Sequence, residues 1–164
     1  MSEIDACLDH NLQYSASFTE GELAARPSRR MAIVACMDAR LDPARCLGLQ
    51  EGDAHVIRNG GGRITTDVIR SLAISQSVLD TREVMLIVHT DCGLLASSEE
   101  ELRTAIEDST GTRPDFAVGA FADLEEQLRD SVAELKASPF IPYKDAIRGF
   151  VYEVETGRLR EVRR

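Results

Sequence analysis

The sequence contains no tryptophan, and aromatic residues make up only 5% of its 164 positions. Stacking platforms for nucleic-acid bases are therefore scarce. Basic residues are also few relative to acidic ones, with 19 Lys and Arg against 28 Asp and Glu, which gives a formal net charge of -9. Because that charge repels a phosphate backbone, we expect no nucleic-acid partner.

Long hydrophobic runs are missing as well. No apolar stretch approaches the roughly 18 residues that a membrane-spanning helix needs, so we expect no membrane partner. The first ten residues, MSEIDACLDH, are acidic and lack the apolar region of a secretory signal, and we therefore expect a cytoplasmic protein. In such a reducing compartment cysteines more often bind metals or act in catalysis than form disulfides. The chain has four: Cys7, Cys36, Cys46 and Cys92.

Length and composition predict one globular domain over residues 1–164, because 43% hydrophobic and 29% charged residues are ordinary values for a domain of this size. We interpret residues 1–29 as an N-terminal arm and residues 30–164 as the core of the domain. The arm is predicted to form a loose helix that packs on a partner. Its apolar positions are Ile4, Leu8, Leu12 and Phe18.

Short apolar runs alternate with helical patterns through the core. The runs predicted as strands are Met31–Cys36, Ala54–Ile57, Val84–Val88, Phe150–Val154 and Leu159–Val162. Helices are predicted behind the capping segment Thr65-Thr66-Asp67, from Ser97 to about Gly111, and over the amphipathic run from Phe121 to Leu135. The acidic run Glu99–Glu101 is interpreted as a helix N-terminus, not a metal site. The alternation predicts an α/β fold, a mainly parallel central sheet flanked by helices.

The strongest chemical signal is His89-Thr90-Asp91-Cys92-Gly93, which follows the third strand. Cys36 ends the first strand, and the carboxyl ends of parallel strands meet at one edge of a sheet. One imidazole and two thiolates suit zinc, and three protein ligands leave a position open, as in catalytic zinc sites. The alternative is a core histidine beside two buried thiols. The placement of Cys36 favours the metal.

Asp38 and Arg40 stand two residues apart just after Cys36. They could pair with each other, which would lower the pKa of the carboxyl, and Asp38 could then orient a zinc-bound water. Alternatively, Asp38 could occupy the fourth zinc position and close the site. A third possibility is a surface ion pair of little energetic value. The residues alone do not decide between these three arrangements.

A glycine-rich loop, Asn59-Gly60-Gly61-Gly62, follows the second strand. Such loops can cradle phosphates, but this one lacks the GxGxxG and GxxxxGK[ST] spacings. We interpret it as a tight turn that walls the site. The remaining cysteines and histidines are assigned no role: Cys46 is expected to be packed, Cys7 to lie in the arm, His10 to be exposed and His55 to be a core or edge histidine.

Taken together, Cys36-Met37-Asp38-Ala39-Arg40, the loop Arg58–Arg63 and His89–Gly93 closely resemble the β-class carbonic anhydrases, most nearly their short bacterial and archaeal branch. The resemblance runs in order from about Arg30 to Val162. It implies one Zn²⁺ per chain and the family's α/β fold. The site residues that it implies are the metal ligands Cys36, His89 and Cys92, the catalytic pair Asp38 and Arg40, and the substrate-pocket residues Asn59, Gly60, Gly61 and Gly93.

The activity implied is the reversible hydration of carbon dioxide to bicarbonate and a proton, by attack of zinc-bound hydroxide. The resemblance also implies a homodimer, or a homotetramer built from it, with the arm reaching across to the partner subunit. Relatives on this scaffold hydrolyse carbonyl sulfide or carbon disulfide, and the motifs do not separate these substrates. The same residues are also compatible with a metal-free cysteine enzyme, with Cys36 as nucleophile and His89 as base, and with a zinc module without turnover.

Overall fold

A five-stranded sheet is the centre of the protein in a computed structural model that describes residues 2–163. Its strands are β1 (Met31–Cys36), β2 (Ala54–Asn59), β3 (Glu83–His89), β4 (Ile147–Glu153) and β5 (Arg158–Val162). The spatial order is β2-β1-β3-β4-β5; the first four strands are parallel, and β5 runs antiparallel to β4. The prediction of a mainly parallel sheet is confirmed.

Five α-helices accompany the sheet within the described residues: α1 (Glu3–Ala16), α2 (Pro43–Leu47), α3 (Thr66–Ser77), α4 (Glu99–Thr110) and α5 (Leu124–Ala137). Local sequence explains their starts, because the Thr65 hydroxyl caps α3, and Ser98 and Glu101 form a reciprocal capping box on α4. Gly111 ends α4 in the left-handed conformation, with φ 74°. The apolar pattern of α3 continues to Leu79, but the helix itself ends at Ser77.

The central strands are buried on both faces, which explains their unbroken apolar runs. Along β1, Ala32 and Val34 join the hydrophobic cluster on one face, while Ile33 and Ala35 join the cluster on the other. The first cluster includes residues of α3 and α5, and the second includes Leu41 and Cys92 from the loops that follow β1 and β3. The loops that follow β1 and β3 are therefore joined directly to the buried core of the sheet.

Strand order determines where the site lies. Because β1 lies between β2 and β3, the carboxyl ends of three parallel strands are neighbours, and Cys36 pairs in register with Asn59. The segments that follow these ends are the CMDAR turn, the glycine turn and the His89–Gly93 turn. They share one edge of the sheet, as the sequence predicts.

Helix α1 has no buried residue, and its apolar side chains Ile4, Leu8 and Leu12 are 72%, 59% and 69% exposed. A hydrogen bond of 2.7 Å from Tyr14 Oη to Glu51 Oε1 ties it to the core. The predicted helical arm is thus present, whereas the division into an arm and a catalytic core of one domain stays a prediction.

Within residues 2–163, no helix combines the length and apolarity needed to cross a membrane.

Candidate metal centre

Cys36, His89 and Cys92 converge at the carboxyl edge of the sheet. All three side chains are buried, and their two sulfur atoms and one ring nitrogen lie within 4.8 Å of one another. Cys36 is the last residue of β1, His89 is the last residue of β3, and Cys92 lies in the turn that follows. The structure thus brings together the three residues that the sequence predicts as metal ligands.

The His89 ring is held so that one nitrogen faces the sulfurs. Its Nδ1 lies 2.9 Å from the Thr90 carbonyl oxygen, which selects the tautomer with the proton on Nδ1. Its Nε2 is buried and has no hydrogen-bond partner among the described residues. Because an unpartnered buried nitrogen is costly, this atom fits the role of a metal ligand.

The two thiols have opposite electrostatic surroundings. Burial alone raises the pKa of Cys36, but the adjacent His89 and the N–H groups of Asp38 and Gly61 outweigh burial and lower it to about 7. Burial raises the pKa of the Cys92 thiol, against the opposing N–H group of Leu94. A cluster of two sulfurs and one imidazole is a soft donor set that suits zinc.

Asp38 and Arg40 form a bidentate ion pair beside this cluster. Arg40 Nε and NH2 donate to the two carboxylate oxygens of Asp38 at 3.0 and 2.8 Å, and the Arg40 backbone N–H donates to Oδ1 at 2.9 Å. These hydrogen bonds hold the pKa of Asp38 well below its usual range. The carboxylate is only 19% exposed, and its Oδ2 lies 3.6 Å from His89 Nε2. The pair is therefore part of the cluster's surroundings and not a remote surface contact.

Two residues missed by the sequence reasoning brace these turns. Arg58 donates from Nε to the Cys36 carbonyl at 3.0 Å and from NH2 to the Asp38 carbonyl at 2.7 Å. Asp91 accepts from Arg40 through both its carboxylate and its backbone carbonyl. Both residues stand inside the quoted motifs, but their contacts depend on which strands are neighbours.

The glycine loop is a tight turn, as interpreted from the sequence. The Asn59 side chain closes it with two hydrogen bonds to the Arg63 backbone, at 2.9 and 2.8 Å. Gly61 and Gly62 have φ angles of 76° and 61°, and a Cβ on Gly62 would lie 3.0 Å from the Ile87 carbonyl oxygen. By contrast, no atom lies within 4 Å of a Cβ built on Gly60 or Gly93. The pocket role of these residues stays a prediction.

The cysteines and histidines outside the cluster are explained without a role in it. The expectation that Cys46 is packed is wrong, because the short helix α2 leaves it exposed. Cys7 and His10 are exposed on α1, and all four cysteines are free. His55 is half-buried, with its Nδ1 2.8 Å from Ser75 Oγ.

These features define a class: an α/β protein with a buried cluster of two cysteine sulfurs and one imidazole at the carboxyl edge of a parallel sheet, flanked by a carboxylate–guanidinium pair. Residues 31–159 match the family model for carbonic anhydrase. The chain belongs to the carbonic anhydrase family, and the resemblance stated from its motifs is confirmed.

The relatives agree with this assignment. The chain is 48% identical over 162 residues to "Beta-carbonic anhydrase 1" of Mycobacterium tuberculosis, and the match covers 99% of both chains. Its structure is similar to that of a carbonic anhydrase from Streptococcus mutans, with a TM-score of 0.94, 43% identity and 99% of both chains covered. A carbon disulfide hydrolase of Saccharolobus solfataricus is 31% identical, over 96% of this chain and 90% of the relative.

Proposed function

We propose that the protein is a zinc-dependent carbonic anhydrase that catalyses the reversible hydration of carbon dioxide to bicarbonate and a proton. The observation that carries the proposal is the buried cluster of Cys36, His89 and Cys92 with the carboxylate of Asp38 beside it. Its occurrence in a chain 48% identical to a β-carbonic anhydrase over nearly all of both chains supports the same activity.

In this proposal Cys36, His89 and Cys92 hold one Zn²⁺ per chain. When bound, the ion supplies a Lewis acid that lowers the pKa of a coordinated water from about 15.7 towards neutrality. The side chains contribute a dry, buried setting, and two thiolates balance the double positive charge. The Thr90 carbonyl fixes the ring of His89 so that Nε2 remains available as a ligand.

Asp38 is the group proposed to orient the attacking water. Its Oδ1 accepts two hydrogen bonds from Arg40, whereas its Oδ2 accepts one and faces His89 Nε2. Oδ2 therefore retains a lone pair for the hydrogen bond of a water at the cluster. Because the pKa of Asp38 is low, the carboxylate stays an acceptor throughout, and the water is held with its oxygen lone pair free to attack carbon.

The substrate pocket is proposed to lie along the turns that contain Asn59, Gly60, Gly61 and Gly93. Glycine lets a small linear substrate approach the backbone closely, and the space beside Gly60 and Gly93 is open. The proton released by hydration leaves to solvent or buffer. This arrangement supports a small-molecule substrate.

A homodimer is proposed as the working unit. A helix of 14 residues is marginal alone in water, and α1 leaves its stripe of Ile4, Leu8 and Leu12 exposed. An apolar groove between α3 and α5, lined by Ile69, Ala73, Ala137 and Phe140, offers a second copy a surface for that stripe. The groove carries one basic and one acidic side chain, Arg70 and Glu134, so the proposed contact depends on its apolar lining. A reducing, cytoplasmic location is proposed because both cluster thiols must stay reduced to bind metal.

The decisive experiment is stopped-flow carbon dioxide hydration with zinc content measured on the same sample. Rapid hydration with about one zinc per chain is expected for the wild type. Cys92→Ser is expected to lose zinc and hydration together, while Cys46→Ser, which changes an exposed cysteine, retains both. Zinc-loaded protein without hydration would contradict the proposed reaction, and full zinc binding by Cys92→Ser would contradict the ligand assignment.

Hydrolysis of carbon disulfide or carbonyl sulfide is the second candidate. It is favoured by relatives named carbon disulfide hydrolase, although these are only 30 to 34% identical to this chain. Sulfide release from either substrate, measured beside carbon dioxide hydration, separates the two activities. Sulfide release without hydration would assign the chain to the second candidate.

A further inference from the structure

Arg40 is held along two edges of its guanidinium group. One edge, Nε and NH2, faces Asp38. On the other edge, NH1 donates to Asp91 Oδ2 at 2.7 Å and NH2 donates to the Asp91 carbonyl oxygen at 3.0 Å. Four hydrogen bonds from one planar group leave it a single orientation.

The backbone conformation of Asp91 allows this contact. Asp91 has a φ of 55°, in the left-handed region that is unfavourable for residues other than glycine and is tolerated best by Asn and Asp. In this conformation its carbonyl and its carboxylate reach the same guanidinium group. Such strained residues concentrate at functional sites, and Asp91 lies on the turn between His89 and Cys92.

We infer that Asp91 is a positioning residue for the Asp38–Arg40 pair, an inference that rests on the proposed function. Asp38 follows Cys36 on the turn after β1, and Asp91 precedes Cys92 on the turn after β3, so Arg40 links the two turns. Arg40 has a long and 47% exposed side chain. Without Asp91 its guanidinium group gains freedom to rotate, and the carboxylate of Asp38 loses its fixed direction towards the cluster.

A role in stability alone does not account for this contact. The Asp91 carboxylate is 76% exposed, and an ion pair at such a position adds little to the stability of the fold. The contact ends instead on the residue that orients Asp38. The effect of removing it is therefore expected in turnover, with zinc content and melting temperature nearly unchanged.

The test compares Asp91→Gly and Asp91→Asn with the wild type. Glycine accepts the left-handed backbone and removes the carboxylate but adds backbone freedom, whereas asparagine keeps the Cβ and one acceptor oxygen for Arg40 NH1. We expect kcat for carbon dioxide hydration to fall roughly tenfold or more in Asp91→Gly, to fall less in Asp91→Asn, and zinc to stay at one per chain. Asp67→Asn is the matched control, because Asp67 is an equally exposed aspartate paired with Arg70 on α3.

A double-mutant cycle and a spectroscopic signal show whether Asp91 acts through Arg40. In an Arg40→Ala background, Asp91→Gly is expected to have no further effect on kcat. The Nε–H resonance of Arg40 in ¹H–¹⁵N spectra is expected to broaden or shift in Asp91→Gly.

An unchanged kcat in Asp91→Gly, a loss of zinc, or an additive effect on the Arg40→Ala background would each overturn the inference. If the wild type shows no hydration, it is the proposed function that fails. The Arg40 resonance then decides the role of Asp91 alone, and an unchanged signal in Asp91→Gly overturns it.

Discussion

At the scale of single residues, a carboxylate beside a metal cluster can either orient a water or become a ligand itself. In this protein three donors from Arg40 hold Asp38, and its carboxylate is turned to the guanidinium group. Removing Asp38 from that partner costs a bidentate, charge-assisted pair, so the orienting arrangement is the favoured one. The contact therefore supports the proposal that Asp38 orients a water, and the choice between an orienting and a ligating Asp38 stays a prediction.

Asp38→Asn tests the orienting role. The amide keeps the size of the carboxylate, but its NH₂ group cannot accept from Arg40 and it carries no charge. We expect kcat for hydration to fall roughly a hundredfold while zinc content stays at about one per chain. Asp130→Asn, an exposed substitution on α5, serves as the control. An unchanged kcat would remove Asp38 from the mechanism.

Gly62→Ala tests the packing of the glycine turn against the strand ends. A methyl group there would lie 3.0 Å from the Ile87 carbonyl oxygen and 3.1 Å from the Cys36 backbone nitrogen, and the φ of 61° is unfavourable for alanine. We expect a loss of about 1 to 3 kcal/mol in the free energy of unfolding, measured in urea. Gly60→Ala in the same turn has open space and should remain close to the wild type. Equal effects of the two substitutions would contradict this account of the turn.

The three cluster residues could be predicted from the sequence, but the bracing residues could not. Cys36, His89 and Cys92 stand at or just after strand ends, and a parallel sheet brings such ends together whatever the details. The contact between Arg40 and Asp91 needs β1 and β3 to be direct neighbours and needs a left-handed backbone at Asp91. Neither condition leaves a pattern in the sequence.

At the scale of elements, a helix or strand can be predicted from the sequence when it is long enough to show a clear periodic pattern of apolar residues. The bounds of β1 agree residue for residue with its apolar run, because the strand is buried on both faces. The sequence does not indicate helix α2, since its five residues carry too little periodicity. Val78 matches the apolar pattern of α3 and yet lies outside it, 62% exposed. An apolar residue is buried only where another helix or strand packs against it.

Glu99, the first residue of α4, holds the loop 118–121 in place beside the cluster. Glu99 accepts hydrogen bonds from the backbone N–H groups of Val118, Gly119 and Ala120, at 2.7 to 3.2 Å. The next residue, Phe121, donates its N–H to the Leu94 carbonyl, two residues after Cys92. The backbone N–H groups, together with Arg103, lower the pKa of Glu99 to about 2.

This low pKa predicts a pH-dependent contribution to stability. A carboxyl whose folded-state pKa lies below its ordinary value of 4.5 stabilises the fold above that value and loses its effect as the pH falls towards 2. We expect Glu99→Gln to lower the melting temperature most at neutral pH, with the difference from the wild type shrinking between pH 4.5 and 2. Glu100→Gln, which instead removes a bond to the exposed Arg113 side chain, should have a smaller effect. A difference that stays constant with pH would contradict this role of Glu99.

At the scale of the whole molecule, α1 is a helix whose apolar side chains are left exposed by residues 2–163 of its own chain. Its capping box fixes where the helix starts, but tertiary burial provides most helical stability in proteins, and none of its residues is buried. The side chains of Ile4, Leu8 and Leu12 can therefore stabilise α1 only if another surface buries them. We propose the apolar groove between α3 and α5 of a second copy as that surface.

Leu8→Glu tests the dimer at the centre of this stripe. The wild type is expected to sediment at twice the 18.1 kDa of one chain. Burying one leucine contributes about 1.5 to 3 kcal/mol, and a two-fold symmetric dimer buries it twice, so Leu8→Glu should raise the dissociation constant at least roughly a hundredfold. Gln13→Glu adds the same charge to the opposite face of α1 and should leave the dimer intact. A wild type that sediments at 18.1 kDa at micromolar concentration, or equal effects of both substitutions, would show that the stripe of α1 does not hold two copies together.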